Sequence, residues 1–156
     1  MGYNIGPRVV LECRYDDTTG HDGIDLAQTA ADNLAQFVIP FKCRVVYAGL
    51  AIHEVVAADQ TAPNIRFDKR PTIGSDTGRG DGDVANITVP DTTAAGKVLY
   101  DKAGYDVELE PGNQVMVQLV TAASDSGTAT GTARPFLVVD MLEETMSNLD
   151  NMVETA

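Results

Sequence analysis

The sequence contains no tryptophan, and aromatic residues occupy only 6% of its 156 positions. Lysine and arginine are also scarce, with 11 against 23 acidic residues, which gives a net charge of −12 at pH 7. A chain of this charge repels a phosphate backbone and an anionic membrane, so we expect neither as a direct partner. No run of about 18 apolar residues occurs, and we therefore predict no membrane-spanning helix.

Cysteine is almost absent as well. Cys13 and Cys43 are the only two, and both lie in apolar, strand-like runs. Free cysteine is among the most buried residue types, so we predict two buried thiols; the sequence leaves open whether their strands are close enough for a disulfide. The start, MGYNIGPRVV, lacks the basic region and long apolar run of a secretion signal, and we expect the protein to stay where it is made.

The residues that are abundant favour β-structure. Apolar residues make up 44% of the chain, mostly Val, Ile, Leu and Ala, and are interrupted by 14 Gly and 7 Pro. Val and Ile favour pleated, half-buried strands, while Gly and Pro favour turns. At this length one domain buries roughly 70% of the unfolded chain's surface. Eight to ten short segments of alternating character predict an all-β fold, a β-sandwich of jelly-roll-like type with antiparallel strands.

The clearest strand signal is the segment YDVELEPGNQVMVQLVT, which begins at Tyr105. Apolar and acidic residues alternate before Pro111, and apolar residues alternate again after Asn113. Pro111 presets φ for a tight turn, Gly112 can adopt the positive φ that follows, and the Asn113 side chain can close the turn. We predict two half-buried strands joined as a hairpin.

The longest apolar run extends from Cys43 to Val56. Period two places Val46, Ala48, Leu50 and Ile52 on one face and other apolar residues on the opposite face. Because apolar side chains on both faces of this strand must be buried, we predict two packed sheets. Further along, the segment DTTAAG fits one turn of helix capped by Asp91.

We divide the chain into an N-terminal arm (1–8), a sandwich domain (9–141) and an acidic tail (142–156). Leu142, Met146, Leu149 and Val153 recur in the tail at intervals of four, three and four, as on one face of a helix. Two interpretations stay open. The tail packs on its own domain, or it docks on a neighbouring subunit, where methionine suits an adaptable contact.

One segment is a candidate for binding a hard cation. Asp76, Asp81 and Asp83 lie among four glycines between residues 73 and 84, and calcium prefers several oxygen ligands on such a loop. The bidentate Glu of helix-flanked calcium loops is missing, and a plain solvated loop is the favoured explanation of the segment. We therefore predict no metal and no cofactor.

Catalytic motifs are not recognisable in the sequence. His21 and His53 lack the paired spacing of a zinc site, and no serine has the glycines of a nucleophile elbow. The segment starting at Gly23, GIDL, is similar to the opening motif of trimeric dUTP pyrophosphatases, but that family's Arg-Ser-Gly turn is missing. We predict that the protein is not an enzyme.

Taken together, FVIPF, the long two-sided strand, VELEPGNQVMVQLVT and the closing FLVVDM resemble the small β-sandwich decoration (cement) proteins of tailed bacteriophages. The resemblance implies a virion protein, assembled in the host cytoplasm, that binds the capsid exterior and stabilises its lattice. It implies a homotrimer with the major capsid protein as partner. On this interpretation the contacts come from the arms, with candidates Arg8, Arg14, Leu142, Met146, Leu149 and Met152.

Two alternatives remain at this stage. The same layout suits another virion module, such as a head fibre base, a tail component or a receptor-binding component. The Gly- and Asp-rich loop also suits a carbohydrate- or calcium-binding sandwich.

Overall fold

A computed structural model of the chain describes residues 5–13, 23–70, 84–101 and 107–142. Within these ranges the chain forms ten strands and no helix, which confirms the predicted all-β class. The strands are β1 (Ile5–Glu12), β2 (Ile24–Asp25), β3 (Ala31–Val38), β4 (Cys43–Ala57), β5 (Asn64–Arg70), β6 (Ala85–Thr88), β7 (Val98–Asp101), β8 (Glu108–Leu109), β9 (Gln114–Thr121) and β10 (Thr130–Leu142).

The strands form two antiparallel sheets. The six-stranded sheet has the order β1-β10-β4-β7, with β2 also paired to β10 and β8 to β4. The four-stranded sheet has the order β3-β9-β5-β6. Both sheets contribute to one buried apolar cluster, so the molecule is a β-sandwich.

The core lies between the sheets. Leu50 and Leu137 from the six-stranded sheet are fully buried, and so is Phe67 from the four-stranded sheet. Phe37 stacks on Phe67 with ring centroids 6.4 Å apart. Because each large apolar side chain gains about 1.5 to 3 kcal/mol on leaving water, this layer fixes which face of every strand points inward.

The long strand β4 is interrupted by a bulge. Val45 pairs with Val139 and Tyr47 with Val138, which leaves Val46 as an extra residue. The extra residue changes the phase of the alternation, so Val45 is buried beside Ala48 while Val46 is half-buried. The predicted face containing Val46 is therefore wrong at this position, because period two holds only for an uninterrupted ladder.

The predicted hairpin around Pro111 is also corrected. β8 pairs with β4 in the six-stranded sheet, whereas β9 pairs with β3 and β5 in the four-stranded sheet. The turn itself forms as expected: Gly112 has a φ of 86°, and the Glu110 amide donates to Asn113 Oδ1 at 2.8 Å. The Gly112 amide also donates to the Ile39 carbonyl at 2.8 Å. The turn is thus a corner between the sheets.

The segment from Asp91 to Gly96 forms turns instead of the predicted helical turn. Thr92 has a φ of 61° and Gly96 one of 83°, both incompatible with a right-handed helix. The Asp91 carboxylate accepts a hydrogen bond from the Ala58 amide at 2.8 Å instead of capping a helix. Contact with the end of β4 therefore decides the local conformation.

The two ends of the described domain lie side by side. Ile5 pairs with Leu142, so residues 5–8 belong to β1. Leu142 is buried at 2% exposure, and its amide donates to the Lys42 carbonyl at 3.1 Å. The helical stripe expected from the tail therefore does not begin at Leu142.

Candidate interaction surface

One sheet face points away from the core and combines aromatic, apolar and charged side chains. It is built by alternate residues of β1, β10, β4, β7 and β8, because neighbours in an antiparallel ladder share a face. We call it the outer face, formed by Arg8, Val10, Glu12, Arg44, Tyr47, Gly49, Ala51, Val98, Tyr100, Glu108, Arg134, Phe136, Val138 and Asp140.

One end of the outer face carries a row of charges that crosses four strands. Glu108 pairs with Arg44, Arg44 with Asp140, and Asp140 with Arg8. Arg8 Nε lies 2.8 Å and its Nη2 3.1 Å from the two Asp140 oxygens, a bidentate ion pair. Arg44 Nη2 lies 3.5 Å from Glu108 Oε1. We call this the charge row; its signs alternate from strand to strand.

Electrostatics within the charge row favour the ionised forms. The hydrogen bond from Arg8 holds the pKa of the Asp140 carboxyl below its usual range, and the positive charge of Arg44 contributes in the same direction. Arg8 is largely exposed, so water screens this interaction. The charge row consequently fixes register and charge pattern more than it stabilises the fold.

The middle of the outer face is aromatic. The Tyr47 ring lies 5.4 Å from Tyr100 and 6.5 Å from Phe136, the latter edge to face. Gly49 permits this arrangement: a Cβ there would lie 2.3 Å from Phe136 Cζ and 2.8 Å from the Leu99 carbonyl oxygen. The Phe136 ring therefore lies against bare backbone, a reason for glycine within a strand.

Water reaches much of this apolar surface. Val10 is 57% exposed, Val98 54% and Tyr100 58%. At the edge beside β1 lies a groove of about 430 Å³ lined by Val10, Phe136 and neighbouring residues, including Cys13. A clustered apolar surface of this kind marks an interaction site more often than scattered residues do.

The two cysteines do not form a disulfide with each other. Both are free, and burial raises the pKa of Cys13 and of Cys43 to about 12. Cys43 is buried as predicted, whereas Cys13 is half-buried beside the groove. Cys43 pairs with Met141 on one side of β10, while Cys13 follows Glu12, which pairs with Phe136 on the other side; the five positions from Phe136 to Met141 correspond to a separation on the order of 16 Å. This exceeds what a disulfide can span.

The four-stranded sheet presents a different outward surface. Gln118 Nε2 donates to Asp68 Oδ2 at 2.9 Å, with both residues almost fully buried. Gln36 is hydrogen-bonded to Gln114 across β3 and β9. Asn64 Nδ2 donates to Asn86 at 2.5 Å and to Thr88 at 3.0 Å. These side chains satisfy one another.

Of the site residues predicted from sequence, the structure places two. Arg8 belongs to the charge row, and Leu142 is buried in β10. The other interface candidates and the candidate cation ligands lie outside the described residues: Arg14, Met146, Leu149, Met152, Asp76, Asp81 and Asp83. Within the described ranges, no three His, Cys, Asp or Glu side chains lie close enough to hold a metal ion.

Sequence reasoning missed the aromatic centre of the outer face. Tyr47, Tyr100 and Phe136 lie on three strands that are distant in sequence, and only the pairing of β4 with β7 and β10 brings them together. One local signal was present: Gly49 sits inside the longest apolar run, where glycine often marks close approach of another group.

Comparisons with protein-family models, curated proteins and solved structures gave no significant match. The described part of the chain also has no helix that is long and apolar enough to cross a bilayer.

Proposed function

We propose that the protein is a non-enzymatic structural component of a virion, a decoration protein that binds the exterior of a phage head and stabilises its lattice. The motivation from sequence is the resemblance in layout over roughly residues 34–141. The observation that carries the proposal is the outer face, where exposed apolar and aromatic side chains lie on the outside of a sandwich whose interior is already filled.

The physical requirements of such a protein agree with the residues. A rigid sandwich keeps its shape while many copies bind, and a net charge of −12 keeps the free protein soluble at high concentration. Each contact with the lattice can be weak, because binding at several points raises the overall affinity. The partners on this proposal are the major capsid protein and further copies of the chain, with the trimer of the resembled family as the expected assembly.

The exposed outer face is also consistent with a second role in a virion. A head fibre base, tail component or receptor-binding component also needs a rigid sandwich with one adhesive face. Labelling the protein on virus particles with an antibody, followed by electron microscopy, separates the two. Signal over the head is expected, and signal confined to the tail contradicts decoration.

The functional experiment compares heads with and without the protein. We expect heads that lack it to open at lower temperature or lower ionic strength, and purified protein added back to restore their resistance. The Tyr100→Ser variant, added back to heads that lack the protein, tests the outer face and should restore less resistance than the wild type. Val38→Ser is the matched control and should restore full resistance, because Val38 is exposed at 65% on the four-stranded sheet. Equal resistance of heads with and without the protein would contradict the proposal.

A further inference from the structure

The charge row is complementary to a reversed copy of itself. In strand order β8, β4, β10, β1 its members are Glu108, Arg44, Asp140 and Arg8, with signs minus, plus, minus, plus. Two copies can meet through their outer faces about a twofold axis that lies between the faces, parallel to the strands and in front of the gap between β4 and β10. The half-turn about this axis reverses the strand order. Glu108 of one copy then faces Arg8 of the other, and Arg44 faces Asp140.

The same half-turn matches the apolar part of the outer face. It exchanges β4 with β10, so Tyr47 of one copy faces Val138 of the other. It exchanges β7 with β1, which places Tyr100 opposite Glu12, at the groove lined by Val10 and Phe136. The exposed Tyr100 ring then lies over this groove, as an aromatic anchor does in many interfaces.

Net charge favours this face over others for contact between copies. The outer face has three cations (Arg8, Arg44, Arg134) and three anions (Glu12, Glu108, Asp140), so it is formally neutral. The whole chain carries −12, and contact between two acidic surfaces brings repulsion. Two copies that meet through their outer faces avoid that repulsion.

We infer that the outer face is an isologous interface between two copies of this chain, related by a twofold axis parallel to β4 and β10. This contact covers the face assigned above to the capsid, so a second copy and the capsid compete for it, and the dimer is measured on the purified protein alone. It differs from the threefold assembly expected from the resemblance, because face-to-face contact about a twofold axis closes with two copies.

The first experiment measures the assembly state by sedimentation equilibrium and native mass spectrometry. We expect a dimer at micromolar concentration. Tyr100→Ser should raise the dissociation constant at least about tenfold, and Val38→Ser should leave it unchanged. A wild-type monomer, a trimer, or a dimer that Tyr100→Ser does not weaken would overturn the inference. Circular dichroism checks that each variant is folded.

The second experiment tests the symmetry itself. A homodimer of Arg8→Glu, or of Glu108→Arg, contains two contacts of like charge. The reason is that residue 8 of each copy faces residue 108 of the other copy. In a mixed dimer of the two variants, both contacts have opposite charges. Native mass spectrometry of the mixture should therefore show more heterodimer than random pairing gives. Random pairing, or a preference for homodimers, would contradict this axis whether or not the protein binds capsids.

Discussion

The outward surfaces of the two sheets differ in whether their side chains bond to one another or stay exposed to water. On the four-stranded sheet, polar side chains bond to one another, and Gln118 and Asp68 are almost fully buried while doing so. On the outer face of the six-stranded sheet, Val98 and Tyr100 stay more than half exposed. A surface whose groups satisfy each other gains little from a partner, whereas exposed apolar area gains free energy when it is covered.

This contrast indicates that the outer face, and not the surface of the four-stranded sheet, is the better candidate for binding a partner. The outer face is neutral and apolar at its centre, with charges confined mainly to its ends. The other surface has amide and hydroxyl groups whose hydrogen bonds run between strands. We therefore expect removal of an exposed outer-face side chain such as Tyr100 to weaken association, and removal of a bonded polar side chain on the other surface to change stability only.

The largest expected effect is at the outer face itself. Gly49→Ala places a Cβ against the Phe136 ring and the Leu99 carbonyl, which should lower the free energy of unfolding by about 3 kcal/mol. Urea denaturation measures the loss. Gly127→Ala, in an exposed bend where the nearest atom lies 3.3 Å away, is the control and should have almost no effect. Equal stability of Gly49→Ala and wild type would show that the ring does not need bare backbone.

On the polar surface, Gln118→Ala removes the amide that bonds to buried Asp68. A buried polar group that loses a hydrogen-bond partner costs about 2 kcal/mol, so stability should fall by that amount with no change in assembly state. Gln36→Ala is the matched control, because this half-buried amide should cost less. A loss at Gln36 as large as at Gln118 would contradict the ranking by burial.

A smaller effect is expected for the edge-to-face contact on the outer face. Phe136→Leu keeps an apolar side chain but removes the ring that meets Tyr47, and should cost about 1 kcal/mol. In the double variant with Gly49→Ala, the total loss should be less than the sum of the single losses, because the clash is relieved in part. Strict additivity in urea denaturation would show that the two positions do not interact.

The smallest effect concerns pH and the charge row. The pKa of Asp140 is lowered in the folded protein, mainly by Arg8, so its contribution to stability is complete above the unfolded-state pKa of about 3.9. That contribution is lost as pH falls through the lower folded-state value. The stability difference between wild type and Asp140→Asn should therefore shrink on acidification. Glu54→Gln, at an exposed position of β4, is the control.

Local sequence predicted much of the fold and little of the surface. The positive φ at Gly112 and the capping of that turn by Asn113 depend on neighbouring residues, and both were confirmed. The bulge at Val46 and the absence of a helix after Asp91 depend on pairing with β10 and on contact with Ala58. No local pattern contains such long-range terms.

Composition and periodicity by themselves determined the all-β class, the acidic surface and the buried setting of Cys43, because burial preference and backbone geometry act over a few residues. Tertiary structure alone decided which residues meet. Arg8 and Asp140 are 132 positions apart, and strand register places their charges 2.8 Å from each other. Sheet pairing likewise sent β8 and β9 to opposite sheets, since a turn fixes its own torsion angles but not the partners of the strands it joins.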